Sequence, residues 1–478
     1  MTLVVERARD LTLEAVRRVA WGREEVAIGE GARQRMEAAR MAFHELLERE
    51  PELFVYGVTH HGGDNVHVPY PPEVRTVATR SGGFTWGVNF GRALPERVTR
   101  AIVLARLANF LEGSAAARPE TAEAIATFLD RPALPPVPID GNGGAGEILP
   151  LAHLFDELMG RLELSLRERG CFWNGSPCAA GLVADGALAA ARRTRLAHQV
   201  FALSVEAYLA PLDAYDQAFE RLWGDADEAR ALRELRADLT GCQAARRPLQ
   251  APVSFRILPR VLGQAHRACA AAEHAASVSL ASVSDNPVYL PPDEHNVEAR
   301  VLSNGGYHNG MAYPALDDLA ASWADLAQLA ERHAITILRD PLAWAPASIG
   351  EDEDYQLILG PMALVGYAEQ ARRAAQRSFL PAGTAGSSQD DVAPPTFAAW
   401  ESATRAGELL DASLATLAVI ACEALRRSGR AAPPALRELA SQVLSAVTPM
   451  SKERSLARDT QVLSASFTAR VLSPELDA

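Results

Sequence analysis

Residues 141–153 read Gly-Asn-Gly-Gly-Ala-Gly-Glu-Ile-Leu-Pro-Leu-Ala-His, with four glycines among the first six positions. Glycine permits backbone angles closed to other residues and lets a chain approach a ligand closely. The stretch is therefore either an active-site loop or an ordinary turn before a helix that starts near Pro150. It is not a phosphate cradle, because no GxxxxGK[ST] is present and no strand-like run precedes a GxGxxG. Upstream, Tyr56 is followed by His60, His61 and His67 in a glycine-containing segment with Asp64. The histidine spacing gives no helical ligand pair and no zinc signature, so no metal is expected there. His60 and His61 read instead as acid/base groups that titrate near neutral pH. Tyr56 could join them only if donors or positive charge stabilise its phenolate, since a phenol titrates near about pH 10; otherwise its ring simply packs. Arg256 could clamp a carboxylate with two parallel donors or form a surface ion pair. Asn174, ahead of Gly175, can orient a carboxylate or an amine, or serve as a turn residue. The run Glu351-Asp352-Glu353-Asp354 reads as a solvated acidic loop.

These groups need a scaffold, and the composition bounds it. At 478 residues the chain can build a large core or two or three packed units. A formal charge of −13 without basic clusters argues against nucleic acid or an anionic membrane as partner, leaving small molecules and copies of itself. Five scattered cysteines without a CxxC pair read as reduced core residues. The N-terminus shows no basic and apolar targeting pattern, and no run of about 18 apolar residues occurs, so a cytoplasmic protein is expected. Beyond about residue 180 the chain is rich in helix formers with apolar residues three and four apart, as in Leu316, Leu319, Trp323, Leu326 and Ala330. That pattern predicts long helices packed in a bundle. Strand signals are short, for example Val253-Ser254-Phe255 and Pro287-Val288-Tyr289-Leu290. Breaks fall at 131–140, 246–248, 290–293, 381–383 and 432–434. The fold is expected to be mainly α.

The glycine loop resembles the signature of the histidine and phenylalanine ammonia-lyase family. There an Ala-Ser-Gly tripeptide cyclises and dehydrates into a methylidene-imidazolone electrophile, shortly before Pro-Leu-Ala-His. Here Pro150-Leu151-Ala152-His153 is intact, and ungapped alignment back from it puts Gly144-Ala145-Gly146 on the tripeptide. The resemblance runs from Leu11-Thr12-Leu13-Glu14 to about Thr396-Phe397-Ala398. Val55-Tyr56-Gly57-Val58-Thr59 is similar to Tyr-Gly-Ile-Asn-Thr, Asn174-Gly175 to an Asn-Gly pair, Pro252-Val253-Ser254-Phe255-Arg256 to Pro-Tyr-Ser-Leu-Arg, and Ser284-Asp285-Asn286-Pro287 to Thr-Asp-Asn-Pro. Tyr307-His308 falls on Phe-His, and Gln389-Asp390-Asp391-Val392 partly keeps an acidic segment across a gap of one residue. The resemblance implies an ammonia-lyase-like fold with a long central helix bundle, a homotetramer with pockets built from several subunits, Tyr56 as acid/base on a loop, and Arg256 as carboxylate anchor. It further places Asn174, Asn286, Tyr307, Gln389 and Trp86 around the substrate.

The departures cluster on the electrophile and its supports. Ala145 has no hydroxyl to lose as water, and no serine, threonine or cysteine lies between Gly141 and His153. Val253 replaces a tyrosine, and Thr85-Trp86 stands where the family has Ser-His. The expectation is a chain without the methylidene-imidazolone and without another cofactor, whose anchoring residues survive. Three readings follow: a lyase, cyclase or isomerase acting on a small amino-acid-derived carboxylate by Tyr-centred acid/base chemistry; a non-catalytic ligand- or partner-binding relative; and a conventional aromatic amino acid ammonia-lyase. The expected layout is a mixed N-terminal portion over 1–190 carrying both loops, a central bundle over 191–400 and a helical C-terminal portion over 401–478. High Ala and Arg content points to a GC-rich bacterial source, and a role in secondary metabolism is expected.

Overall fold

From Pro177 onward, alanine and leucine dominate, and both favour helix. The structure is a computed structural model and describes residues 2–80, 86–242, 244–292, 297–340, 343, 353–382, 391–447 and 455–475. Thr85, Glu351, Asp352, Gln389 and Asp390 lie outside the described residues. The helices include α1 (Glu30–Arg49), α2 (Glu96–Arg106), α3 (Ile148–Arg161), α4 (Leu166–Trp173), α5 (Pro177–Tyr208), α6 (Ala226–Asp238), α7 (Leu258–Ala281), α8 (Ala312–Arg339), α9 (Glu353–Ala374), α10 (Thr396–Arg427), α11 (Arg437–Val447) and α12 (Leu456–Val471). At 32 residues, α5 is about 48 Å long. Pro177 opens it at the first helical position, where a missing N–H costs nothing.

The fold is mainly helical, as expected. Helix α5 packs against α7, α8 and α10, while α8 packs against α7, α9 and α10. The anticipated seam of α8 faces inward: Leu316, Leu319, Trp323, Leu326 and Ala330 are all buried. Helix α2 covers one side of α5, and α6 lies on α5 and α7. Among the described residues, strands form only pairs: β1 (Thr2–Val5) runs parallel to β2 (Glu25–Ile28), β3 (Thr79–Arg80) antiparallel to β4 (Glu163–Leu164), and β5 (Val288–Leu290) antiparallel to β6 (Arg300–Leu302). No helix of the described residues is long and apolar enough to cross a membrane.

The strand expected at Val253-Ser254-Phe255 is instead a single helical turn, Val253–Arg256. Packing decides this. The turn seats Phe255 between Tyr208, stacked at 4.8 Å, and His333, stacked at 3.6 Å, and that burial outweighs local β preference. All five cysteines are free, and four are buried.

Charges also enter the core, and they do so in pairs. Arg193 of α5 donates through Nε and Nη2 to both oxygens of Asp411 on α10, at 2.9 and 3.0 Å, and Asp411 also accepts from Thr468 of α12. The guanidinium lies where a Cβ at position 407 would sit, so Gly407 makes room for it. Removing one member of such a pair strands the other charge in the core. Asp411→Ala should therefore destabilise the protein by about 3–5 kcal/mol in denaturant titration. Replacing Glu369, which pairs with Arg372 and Arg373 at the surface, should leave the midpoint almost unchanged.

Candidate active site

The glycine loop is held from three sides. The Asn142 side chain donates to the carbonyls of Pro138 at 3.0 Å and Ile139 at 2.8 Å, and it accepts from Asn89 at 3.0 Å. Asn89 also donates to the Asp140 carbonyl at 2.8 Å, so the two amides tie residues 138–142 into a knot. Gly146 adopts φ +62°, a left-handed angle that favours glycine, and the Tyr307 ring packs over it. The third support is Glu147. Its two oxygens accept from the backbone N–H groups of Cys178 at 2.5 Å and Ala179 at 2.7 Å, in the first turn of α5. Those donors have no partner inside the helix, and the helix dipole favours negative charge there. Burial nevertheless pushes the Glu147 carboxyl up to about 7, against the pull of both amides.

Ala145 sits half-buried in this loop. A void of about 10 Å³, on the scale of one water, lies against Gly144, Gly146, Glu147 and Thr396. The Thr396 hydroxyl is buried without a hydrogen-bond partner. So is Nε2 of His308, the residue after Tyr307.

Segment 86–89 closes over α3 and α4. Trp86 stacks on Trp173 with ring centroids 4.1 Å apart, and its backbone N–H donates to the Asp156 carboxylate. Gly87 presses on the His153 ring, where a Cβ would come within 2.8 Å. His153 faces the Asn89 side-chain oxygen through Nε2 at 2.9 Å; because that oxygen can only accept, Nε2 carries the proton. A capping box begins α4, with Ser165 and Glu168 exchanging hydrogen bonds, and Asn174 ends it. The buried Arg106 guanidinium donates to the Asn174 carbonyl and fills the place of a Cβ at Gly175, whose φ is +102°. Gly175 is thus required by packing, while residue 174 meets Arg106 through its backbone and keeps its side chain out of that contact. Trp86, Asn174, Tyr307 and the degenerate tripeptide Gly144-Ala145-Gly146 all gather in this region.

The other sequence candidates have contacts of their own. The Tyr56 hydroxyl accepts from the Gly63 N–H at 2.8 Å, within its own loop. Thr59 braces that loop, accepting from the Val55 N–H at 2.7 Å and donating to the Leu53 carbonyl at 2.8 Å. His60 lies against Thr59 and Phe54, and His61 stacks on Tyr70 at 3.8 Å. Asn286 accepts from Asn304 N–H at 2.9 Å and from the Ser303 hydroxyl at 3.2 Å, joining the 284–287 segment to residues 303–304. Arg256 is exposed; its Nε donates to the Ala251 carbonyl at 2.9 Å, and it lines a groove of about 380 Å³ with Phe219, Trp223 and Leu249. Gln389 is among the residues not described.

Asp156, Glu147 and Asn89 escaped the sequence reading. An acid directly after the glycine loop, and another three residues past His153 on the same helix face, were the available signals. Asp156 is the more reactive in character: one of its oxygens is buried without a partner, and burial pushes its carboxyl up to about 6. The folded state therefore holds this proton more tightly than the unfolded chain. That contribution is complete below about pH 4 and is lost as the pH rises through about 6. The melting temperature of the wild type should accordingly fall relative to Asp156→Asn between those pH values; parallel curves would show that Asp156 titrates normally.

Comparison with known proteins follows the same outline. The family model described as aromatic amino acid lyase matches residues 11–171 and 161–448. The histidine ammonia-lyase of Symbiobacterium thermophilum is 27% identical over 494 aligned positions, covering 96% of this chain and 95% of that protein. Among solved structures, ergothionase from Treponema denticola superposes with a TM-score of 0.86 at 18% identity, covering 99% of both chains. The phenylalanine aminomutase of Pantoea agglomerans gives 0.86 at 17% identity, covering 98% of this chain and 100% of that one. At such identities the superpositions establish the fold, and the family model, spanning most of the sequence, establishes descent. The chain belongs to the aromatic amino acid lyase family.

Proposed function

We propose that this protein is a lyase- or isomerase-type enzyme that acts on a small, amino-acid-derived carboxylate by acid/base chemistry and without a methylidene-imidazolone. The observation that carries the reading is Ala145, seated in a loop whose supports are otherwise in place. In the family the electrophile forms by expelling a serine hydroxyl as water, and the alanine methyl offers no leaving group. The residues present do not fit that group, and no step is assigned to it.

The remaining parts have the chemistry of substrate binding and proton transfer. The Gly63 N–H that meets the Tyr56 oxygen supports negative charge on it, which is what a phenol needs to act as a base. Asp156, poised near about pH 6 beside Trp86, adds a second proton carrier. His60 and His61 stand in the Tyr56 loop as further acid/base groups. Arg256, oriented through Nε on the Ala251 carbonyl, offers its terminal nitrogens to a carboxylate. Asn174 and Tyr307 complete the polar and aromatic lining. Because Arg256 lies away from the glycine loop, the reading includes a homotetramer in which another copy brings its arginine to the pocket. The ergothionase of this fold was solved with desmethyl-ergothioneine sulfonic acid, which supports a small anionic ligand.

Purified protein incubated with histidine, phenylalanine or tyrosine should release no ammonia, whereas a cellular metabolite extract should lose one small carboxylate. Tyr56→Phe should slow that turnover by about 10²-fold or more. Arg256→Ala should act mainly through a higher KM. Full turnover by Tyr56→Phe would remove the tyrosine from the mechanism. Ammonia release from the three amino acids would favour the conventional reaction, and an unchanged extract would favour a binding protein.

A further inference from the structure

Outside the glycine-loop region, three helices bring together a cluster that no part of the proposed chemistry uses. His198 of α5, Glu234 of α6 and His266 of α7 turn their ligand atoms toward one another, all within 4.8 Å. The two Nε2 atoms are 2.9 Å apart, and Glu234 Oε2 lies 3.5 Å from His198 and 3.7 Å from His266. The carboxylate is too distant for a good hydrogen bond to either ring. The same separations suit two ligands of one cation. A point about 2.0 Å from all three atoms exists within this triangle, at the usual zinc–nitrogen and zinc–oxygen distance.

The surroundings prepare the three groups for that role. Arg230 holds Glu234 Oε1 at 2.8 Å, leaving Oε2 directed at the histidines. Arg195, the other nearby cation, is engaged by Asp238 at 2.6 Å. Both rings are buried, which disfavours their charged form, and metal ligation requires the neutral one. His198 Nδ1 has no partner, so its tautomer follows from whatever meets Nε2. Both histidines are buried, while the Glu234 side chain is about one quarter exposed, which gives an ion a path from solvent. Sequence spacing could not show this site, because its ligands lie 32 or more positions apart on separate helices.

We propose that His198, Glu234 and His266 form a binding site for one divalent cation of the zinc class, which fastens α6 to α5 and α7. The two imidazoles and one carboxylate leave a fourth position for water. The site is independent of the acid/base reading above.

Chelator-treated full-length protein titrated with Zn²⁺ should take up one ion per chain and melt several degrees higher. Co²⁺ in its place should give the visible bands of a four- or five-coordinate nitrogen and oxygen site. Glu234→Gln, at a partly exposed position, and His266→Gln should each weaken zinc binding at least tenfold and remove the melting shift, with helical content unchanged. Stoichiometric zinc bound equally well by both variants would place the ion elsewhere, for instance at His60, His61 and His67, and would overturn the proposal. Absence of any binding or melting shift in the wild type would do the same.

Discussion

The Glu147 carboxylate, closed on two N–H groups at the head of α5, is the contact on which the site depends. It joins a glycine loop with little rigidity of its own to α5, one of the two 32-residue helices of the bundle. The N-terminus of a helix supplies unpaired donors and a positive field, so an acid is held there more firmly than at an exposed surface. Once Glu147 is fixed, Gly146 must turn beneath Tyr307, and the Asn89 and Asn142 amides fix the loop's entry. None of these hydrogen bonds involves the side chain at 145. The loop can therefore lose its reactive residue and keep its shape.

Much of this was legible in the sequence, and the limits have physical causes. The α8 seam from Leu316 to Ala330 is a local, periodic pattern and survives intact in the structure. The breaks around 131–140 and 432–434 likewise depend on residues close in sequence. Val253-Ser254-Phe255 misleads because its conformation is set by Tyr208 and His333, which pack on Phe255 from distant helices. Asp156 draws its raised pKa from burial, against the pull of the Trp86 N–H, and neither is encoded nearby. The His198, Glu234 and His266 cluster exists only once three helices have packed. Local patterns revealed the elements, and a family resemblance revealed the loop; the groups created by packing remained hidden.

The loop at 141–153 is firmly held, and Ala145 stands in it where the resemblance places the electrophile-forming serine. Trp86 stacks on Trp173 where the resemblance places a polar Ser-His pair, so the change at 145 comes with a more apolar cover. In the proposed reading this pocket holds Asp156 as a proton carrier near about pH 6 and receives its anion anchor, Arg256, from another copy of the chain.

The direct measure of that account is the intact mass of the purified chain. Cyclisation and dehydration of the loop would each remove a water, so the tripeptide's chemistry is written in the mass. The account predicts the mass of the unmodified sequence. A deficit of one or two waters, mapped to a peptide spanning Gly144-Ala145-Gly146, would contradict it.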